Sequence, residues 1–255
     1  MPDFDTAQPA GWGDLDVTGA IAESSLDALS PAGLEALLAS AYLTRHAAGT
    51  EFLYSEHNLP SDPPGLVVDG LLRVFRRDPD GRETTARYVN LGDLVGLTGL
   101  LASGRQRMLA GRLNTDVVHD TAVLRFDSAA FECAFESEPA FARSLCRYLF
   151  ARLLITQETL TGSMLLPVRA RVAGHLLDLA ERRGSELLVT AKPRRLAAAS
   201  GSVREVVSRI LRDLEREGVL SRDGPDQLRL VDTAALHRIA RGEEHTADDH
   251  RANAG

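Results

Sequence analysis

Apolar and polar positions follow one another in three textures along this chain, and each texture predicts a different kind of element. From Met1 to about Gly19, Pro, Gly, Ala and Asp dominate without an apolar period, so residues 1–20 read as a disordered leader. Ser30-Pro31 is an N-cap followed by Pro at the first helical position, and opens a short helix through Leu34, Leu37 and Leu38. Between about Leu43 and Phe126 the apolar runs are short, rich in Val and Leu, and punctuated by Gly, Pro and Asp. Phe52 to Tyr54, Gly65 to Arg77 and Thr84 to Asn90 read as strands, with Asp80-Gly81 as a hairpin turn. Val117 to Phe126 reads as a further strand pair. Strands this short and close predict a β-sandwich or small barrel of roughly 80–90 residues.

The period then changes to that of helices. Ser128 begins one, with Phe131 and Phe135 on its buried side, and a longer one runs from Pro139 to Thr161. On the longer helix Ala142, Cys146, Leu149, Leu153, Thr156 and Leu160 are spaced 4-3-4-3-4, a heptad seam. Such a stripe either packs on the β domain or pairs with its copy across a dimer axis; the second reading also holds two copies of the C-terminal part at a fixed separation. Gly162 and Pro167 break the helix, so the domain boundary falls there. Val168 to Arg183 is a further helix, with Val172, Leu176 and Leu179 inward.

Leu196 to Glu217 reads as two helices joined by a tight turn. Ala197, Ala198 and Ala199 allow close helix approach, and Gly201 supplies the turn. Ser202 and Glu205 form an S-x-x-E capping box, which starts the second helix at Val203. Val203, Val207, Ile210, Leu211 and Leu214 make its apolar face, and Arg204, Glu205, Ser208, Arg209 and Arg212 the opposite one. Arg donates two parallel hydrogen bonds to guanine O6 and N7, and Glu accepts from the cytosine amino group, so this face has the chemistry to read bases. A solvated charged face is the plainer reading, and the small-residue helix, the Gly turn and the Arg-rich helix in sequence outweigh it. Val219 to Val231 follows as a hairpin around Asp223-Gly224, placed as a wing, and Asp232 caps a helix through Leu236 and Ile239. Residues 241–255 are a polar tail.

Charge sharpens this picture. The 255-residue chain carries a net −7, yet Lys192 to Arg222 holds eight Lys/Arg against four Asp/Glu. A basic island on an acidic chain suits groove binding, because phosphate neutralisation is local. Lys192, Arg194, Arg195, Ser202, Arg212 and Arg222 are the candidate phosphate contacts. Cys133 and Cys146 lack metal-site spacing, and both are expected to pack as small apolar residues. There is no secretory signal and no apolar run long enough to span a bilayer, so a cytoplasmic protein without a membrane partner is expected. No nucleophile elbow, phosphate loop or metal-binding His pair points to an enzyme.

A β-roll, a long helix and a winged helix-turn-helix, in that order, resemble the cyclic-AMP receptor protein / fumarate–nitrate regulator (CRP/FNR) family over roughly Leu34 to Val231. The pieces that carry the resemblance are Gly92 to Arg107, GDLVGLTGLLASGRQR, and Ser202 to Leu220, SVREVVSRILRDLEREGVL. The resemblance implies an α+β chain. Its parts are a cyclic-nucleotide-binding-like β-roll at 21–137, a dimerisation helix at 138–162 and a winged helix-turn-helix at 163–240. It also implies a homodimer that binds double-stranded DNA, with a small-molecule effector and RNA polymerase as further partners. Arg204, Glu205 and Arg209 match the family's base readers, and Ser208 a position also used by the regulator branch. The pocket segment matches less well. Cyclic-nucleotide binders carry Glu after the Gly that matches Gly96, and Ser or Thr after the phosphate-binding Arg. Here Leu97 follows Gly96, and Met108 follows Arg107. Each polar ligand group left unpaired costs ~1–3 kcal/mol, which points away from cyclic AMP. The N-terminal cysteines that hold an iron–sulfur cluster in the regulator branch are absent. For haem, which some members sense, the β domain offers His46, His57 and His119, and a lone histidine there is more often a surface or satisfied residue. The alternative function is a ligand-sensing or protein-interaction module without DNA binding.

Overall fold

The computed structural model describes residues 15–52, 62–81, 83–101, 113–183, 186–190, 192–224 and 226–243. The chain divides into two compact units, residues 1–76 with 86–156, and residues 77–85 with 157–255.

The first unit opens with helix α1 (Val17–Ala22), a 3-10 turn (Ser25–Ala28) and helix α2 (Pro31–Leu38). The strands up to residue 125 are β1 (Tyr42–His46), β2 (Glu51–Phe52), β3 (Gly65–Arg77), β4 (Glu83–Val89), β5 (Leu94–Val95) and β6 (Asn114–Arg125). They form one sheet in the order β1-β6-β3-β4, with β2 on β6 and β5 on β3. Neighbouring residues of β3 go to different clusters. Leu66 and Val68 pack with Leu124, Phe126, Phe131 and Phe141, whereas Val67 packs with Val89, Val117 and Val123. Side chains alternate across a strand, so both faces of the sheet are buried, as a rolled sheet requires.

Two expectations are corrected here. Residues 17–22 are not leader: Asp16 caps them into a helix, and Val17 and Ala20 are buried in the main core. Val117 to Phe126 is not a strand pair, because β6 runs unbroken through Asp120. The irregularity is carried by β3 instead, whose register shifts between Val67 and Leu72. Gly70 lies there at φ +91°, where a Cβ would stand 2.3 Å from the Asp120 carbonyl oxygen.

Helix α3 (Leu97–Leu101) precedes β6; α4 (Ser128–Ser137) and α5 (Pro139–Leu165) follow it. On α4 Phe131 is buried and Phe135 packs half-buried on the same core. Helix α5 overruns its expected end, because Gly162 is tolerated inside it. Its carbonyl accepts the Leu166 N–H at 2.9 Å, and the helix stops before Pro167, which disfavours helical backbone at the residue it follows.

The second unit contains α6 (Val168–Asp178), β7 (Glu181–Arg183), β8 (Glu186–Thr190), α7 (Pro193–Ala199), α8 (Arg204–Arg216), β9 (Leu220–Arg222), β10 (Gln227–Leu230) and α9 (Thr233–Ala240). The expected helix from Val168 to Arg183 is thus five residues too long. Glu181 to Arg183 pair antiparallel with β8, which continues into a four-stranded sheet β7-β8-β10-β9. Val172, Leu176 and Leu179 are buried as expected, with Val207, Leu211, Leu214, Leu236 and Ile239 in the same core-forming set. Asp232 caps α9, its Oδ1 accepting the Ala235 N–H at 2.8 Å. Asp232→Ala is expected to lower stability by ~1 kcal/mol, read as a shift of the urea midpoint without a change of slope.

Candidate nucleic-acid interface

The turn between α7 and α8 is built by backbone hydrogen bonds. The Ser202 N–H reaches the Ala197 carbonyl at 2.9 Å and the Gly201 N–H the Ala198 carbonyl at 3.3 Å, with Gly201 at φ +62°. This Schellman arrangement satisfies the last carbonyls of α7 and needs a left-handed residue, which is glycine's role here. Ser200 adds its hydroxyl to the Leu196 carbonyl at 2.8 Å.

The expected capping box does not form. Val203, extended at φ −103° and ψ 152°, is the N-cap; α8 starts at Arg204 with no side-chain cap. Ser202 is spent on ending α7, and one more residue is needed to turn the chain into α8. Val203 consequently leaves the apolar face and is 59 % exposed. The rest of that face, Val207, Ile210, Leu211 and Leu214, is buried.

Burying that side aims the other outward. Arg204, Glu205, Arg209 and Arg212 are exposed and Ser208 half-buried, on one side of the helix. Arg212 Nε donates back to the Ser208 carbonyl at 3.2 Å. Among the described residues Arg204, Glu205 and Arg209 have no hydrogen-bond or ion-pair partner within the chain. Arg204 occupies the first helical position, where a cation opposes the helix dipole, so its placement serves something other than helix stability. Lys192 and Arg194 are exposed beside α7, as is Arg195, which has a partner within the chain.

The wing is β9 paired with β10 through Arg222 opposite Leu228 and Leu220 opposite Leu230. Arg229 braces it, bridging Glu186 at 3.2 Å and Asp223 at 3.3 Å. Arg222 Nη2 is bonded to Glu215 Oε1 at 2.6 Å, so this candidate phosphate contact is held within the chain. A residue that nothing in the sequence singled out sits behind the turn. Arg171 donates from Nη1 to the Leu166 carbonyl at 2.8 Å and from Nε to the Ser200 carbonyl at 2.9 Å. One guanidinium thereby joins the linker after α5 to the end of α7.

In the first unit, α5 packs on the core through Phe141 and Leu145, with Tyr148 half-buried beside them. The heptad stripe faces elsewhere. Cys146 is exposed, Leu149, Leu153 and Leu160 are 39 %, 51 % and 49 % exposed, and Ala142 and Thr156 are half-buried. Phe150, Leu154 and Ile155 widen this apolar face. Within the first unit, Leu149 and Leu153 are therefore largely open rather than packed into its core. Neither cysteine is buried as expected: α4 turns Phe131 and Ala134 inward, which leaves Cys133 outside, and Cys146 lies on the open stripe.

Of the effector-pocket residues, Gly96 adopts φ +74°, and a Cβ there would stand 2.2 Å from the Pro63 carbonyl oxygen. Leu97 begins α3 half-buried; Arg107 and Met108 lie outside the described residues, as does His57. His46 is held below the ordinary histidine pKa, first by burial and then by the Arg125 charge. His119 sits on β6 with a partner in the chain. Next to Gly96 a polar cluster goes unmarked in the sequence. Buried Asp93 accepts the Asn90 N–H at 2.9 Å and pairs with Arg152, and the Tyr148 hydroxyl accepts the Leu94 N–H at 3.0 Å. Burial, and after it the Asp93 charge, push the Tyr148 phenol pKa up, so it stays neutral.

Comparison with known proteins bears on the same residues. Residues 170–239 match the Crp-like helix-turn-helix domain family. The transcriptional regulator LdrP of Thermus thermophilus is 33% identical over 179 residues, 68% of this chain and 85% of that protein. The cyclic AMP receptor protein of the same organism is 33% identical over 177 residues, 69% of this chain and 79% of its own length. A solved structure of a CRP/FNR-family transcriptional regulator from Thermus thermophilus superposes with a TM-score of 0.62 at 25% identity, covering 78% of this chain and 98% of that one. These relatives are transcriptional regulators, not enzymes. No described helix is long and apolar enough to cross a membrane.

Proposed function

The chain belongs to the CRP/FNR family of transcription regulators with a helix-turn-helix DNA-binding domain, and we propose that it works in the cytoplasm as a homodimer on a pseudo-palindromic operator. The observation that carries the operator reading is the outward row on α8, with Arg204, Glu205 and Arg209 free of partners inside the chain among the described residues. Two copies of α8 enter successive major grooves about 34 Å apart. Arg204 and Arg209 each take a guanine, Glu205 a cytosine amino group, and Ser208 a base or phosphate. Lys192, Arg194, Arg195, Ser202, Arg212 and the wing's Arg222 approach phosphates. The dimer closes along Ala142, Cys146, Leu149, Leu153, Thr156 and Leu160, and the exposure of Cys146, Leu149, Leu153 and Leu160 in the single chain supports that pairing.

The β-roll either senses a small molecule, biasing the dimer between DNA-competent and incompetent states, or is a degenerate sensor on an always-competent dimer. Cyclic AMP does not suit it, since Leu97 offers no acceptor to a ribose hydroxyl beside Gly96 and Met108 no donor beside Arg107. RNA polymerase is the partner through which a bound dimer acts.

The test is selection of genomic fragments by the purified protein in moderate salt, first without ligand and then with cyclic AMP or cell extract. Enrichment of a two-fold symmetric site is expected, and failure under all three conditions would sink the operator reading. On the recovered site, Lys192→Ala is expected to weaken operator and unrelated duplex alike and to lower the slope of log affinity against log salt by ~0.9 per half-site. A sequence-dependent loss instead would make Lys192 a base contact.

A further inference from the structure

Three carboxylates near the end of α8 each hold a guanidinium: Asp213 holds Arg216, Glu215 holds Arg222, and Glu217 holds Arg169. Glu215 is set apart by its place on the helix. Positions 204, 208, 212 and 215 are separated by four, four and three residues, so Glu215 continues the row of Arg204, Ser208 and Arg212 on the outward side. Its partner Arg222 ends β9, directly before the Asp223-Gly224 turn of the wing. A carboxylate in the base-reading row is therefore bonded to the cation at the wing tip. Both side chains remain partly open to solvent, 24 % for Glu215 and 45 % for Arg222.

A carboxylate in that row does nothing for phosphate binding directly, since it repels the polyanion. What it does is occupy a cation. We propose that Glu215 is an affinity-setting residue of DNA recognition, which holds Arg222 off phosphate until α8 is fully seated in the groove. The proposal rests on the groove-docking reading given above. A partly exposed ion pair is weak, and a phosphate brought close by base contacts displaces the carboxylate. In a non-specific complex the protein stands further from the groove, solvent and salt screen the phosphate, and Arg222 stays on Glu215. Breaking the pair is then a cost met by the operator complex and avoided by the random one, so Glu215 holds operator affinity below what Arg222 could supply.

The experiment measures affinity by fluorescence anisotropy, against salt, for the full-length protein on the selected operator and on an unrelated duplex of equal length. For Glu215→Gln, operator affinity is expected to rise about two- to fivefold per helix-turn-helix, the fold-change that loss of a partly exposed ion pair corresponds to, with the salt slope unchanged. Its affinity for the unrelated duplex should rise by less than that, so the specificity ratio does not fall. Arg222→Gln, which leaves the base readers intact, should weaken the operator and leave the unrelated duplex nearly unchanged. The double variant should return the unrelated duplex to wild-type affinity. No gain on the operator, a larger gain on the unrelated duplex than on the operator, or a gain that survives in the double variant would overturn the proposal. Wild-type protein that binds neither duplex would overturn the groove-docking reading itself, which separates the two failures.

Discussion

Leu153→Glu is expected to leave the chain folded, to make it monomeric, and to remove its operator binding. Leu153 is 51 % exposed in the single chain, whereas α5 is fastened to the first unit by Phe141 and Leu145 on another side. The substitution therefore touches no core contact within the chain and should leave the helical signal unchanged, while the melting midpoint falls by what the lost pairing contributed. In a parallel pair the two Leu153 side chains meet near the axis, and burying each contributes ~1.5–3 kcal/mol. Glutamate withdraws that burial and sets two like charges against each other at the same place. Operator binding follows from the geometry of linkage. A dimer presents its second α8 at high effective concentration, and avidity of that kind is worth 10²–10⁴ in affinity. A monomer forfeits all of it, so binding should fall by about that factor. Sedimentation velocity and anisotropy on the same sample check both halves. A Leu153→Glu protein that stays dimeric and binds would place the interface elsewhere and leave the open stripe unexplained.

The stripe and the recognition helix were legible for the same reason, a local period. Ala142 to Leu160 keeps a 4-3 spacing, and Val207 to Leu214 keeps helical spacing against a row of charge, so no tertiary information was needed. Gly201 was legible because the tight turn calls for positive φ, which glycine takes without a Cβ penalty, and it sits at φ +62°. The capping box was misread because Ser202 had two local uses, and the backbone bond to Ala197 that ends α7 won over the side-chain bond that would have begun α8. Glu186 to Thr190 was missed because ELLVT is an apolar run too short for its period to separate strand from helix; its pairing with residues 227–229 settles it.

Other features depend on partners far away in the chain. Asp93 and Arg152 lie 59 positions apart, and Arg171 reaches Ser200 across 29. Neither pair leaves a local pattern, since an arginine on a helix surface looks the same whether it faces water or braces a turn. Val17 and Ala20 show the converse limit. Two small apolar residues among Asp, Thr and Gly carry too little signal to mark a helix, yet both are buried in the first unit's core. On the pocket side, Gly96 was picked out by its match to the family's pocket segment, and the structure adds its close approach to Pro63, while the Arg107-Met108 comparison rests on residue identity alone.

Arg204→Ala is expected to cost ~1–3 kcal/mol per half-site, a factor of roughly 5 to 150, and to relax the preference for one base pair in each half-site. The protein itself should be unaffected, because Arg204 is exposed and has no partner among the described residues. Its removal at the first position of α8 even relieves an unfavourable charge on the helix dipole by a few tenths of a kcal/mol, by order of magnitude. Lysine should not restore the site, since an ammonium lacks the planar fork that meets guanine O6 and N7 together. Both half-sites change at once in a symmetric dimer, and the two losses should add if the grooves are read independently. Repeating the genomic selection with the variant checks the base preference, and anisotropy on the wild-type operator checks the magnitude. The contrast with Lys192→Ala is what makes the result informative: one change should alter which sequences are chosen, the other only how tightly and how salt-sensitively all are held. Loss of affinity in Arg204→Ala with the base preference intact would move Arg204 from the base readers to the phosphate contacts, and would leave Arg209 and Glu205 to carry the recognition.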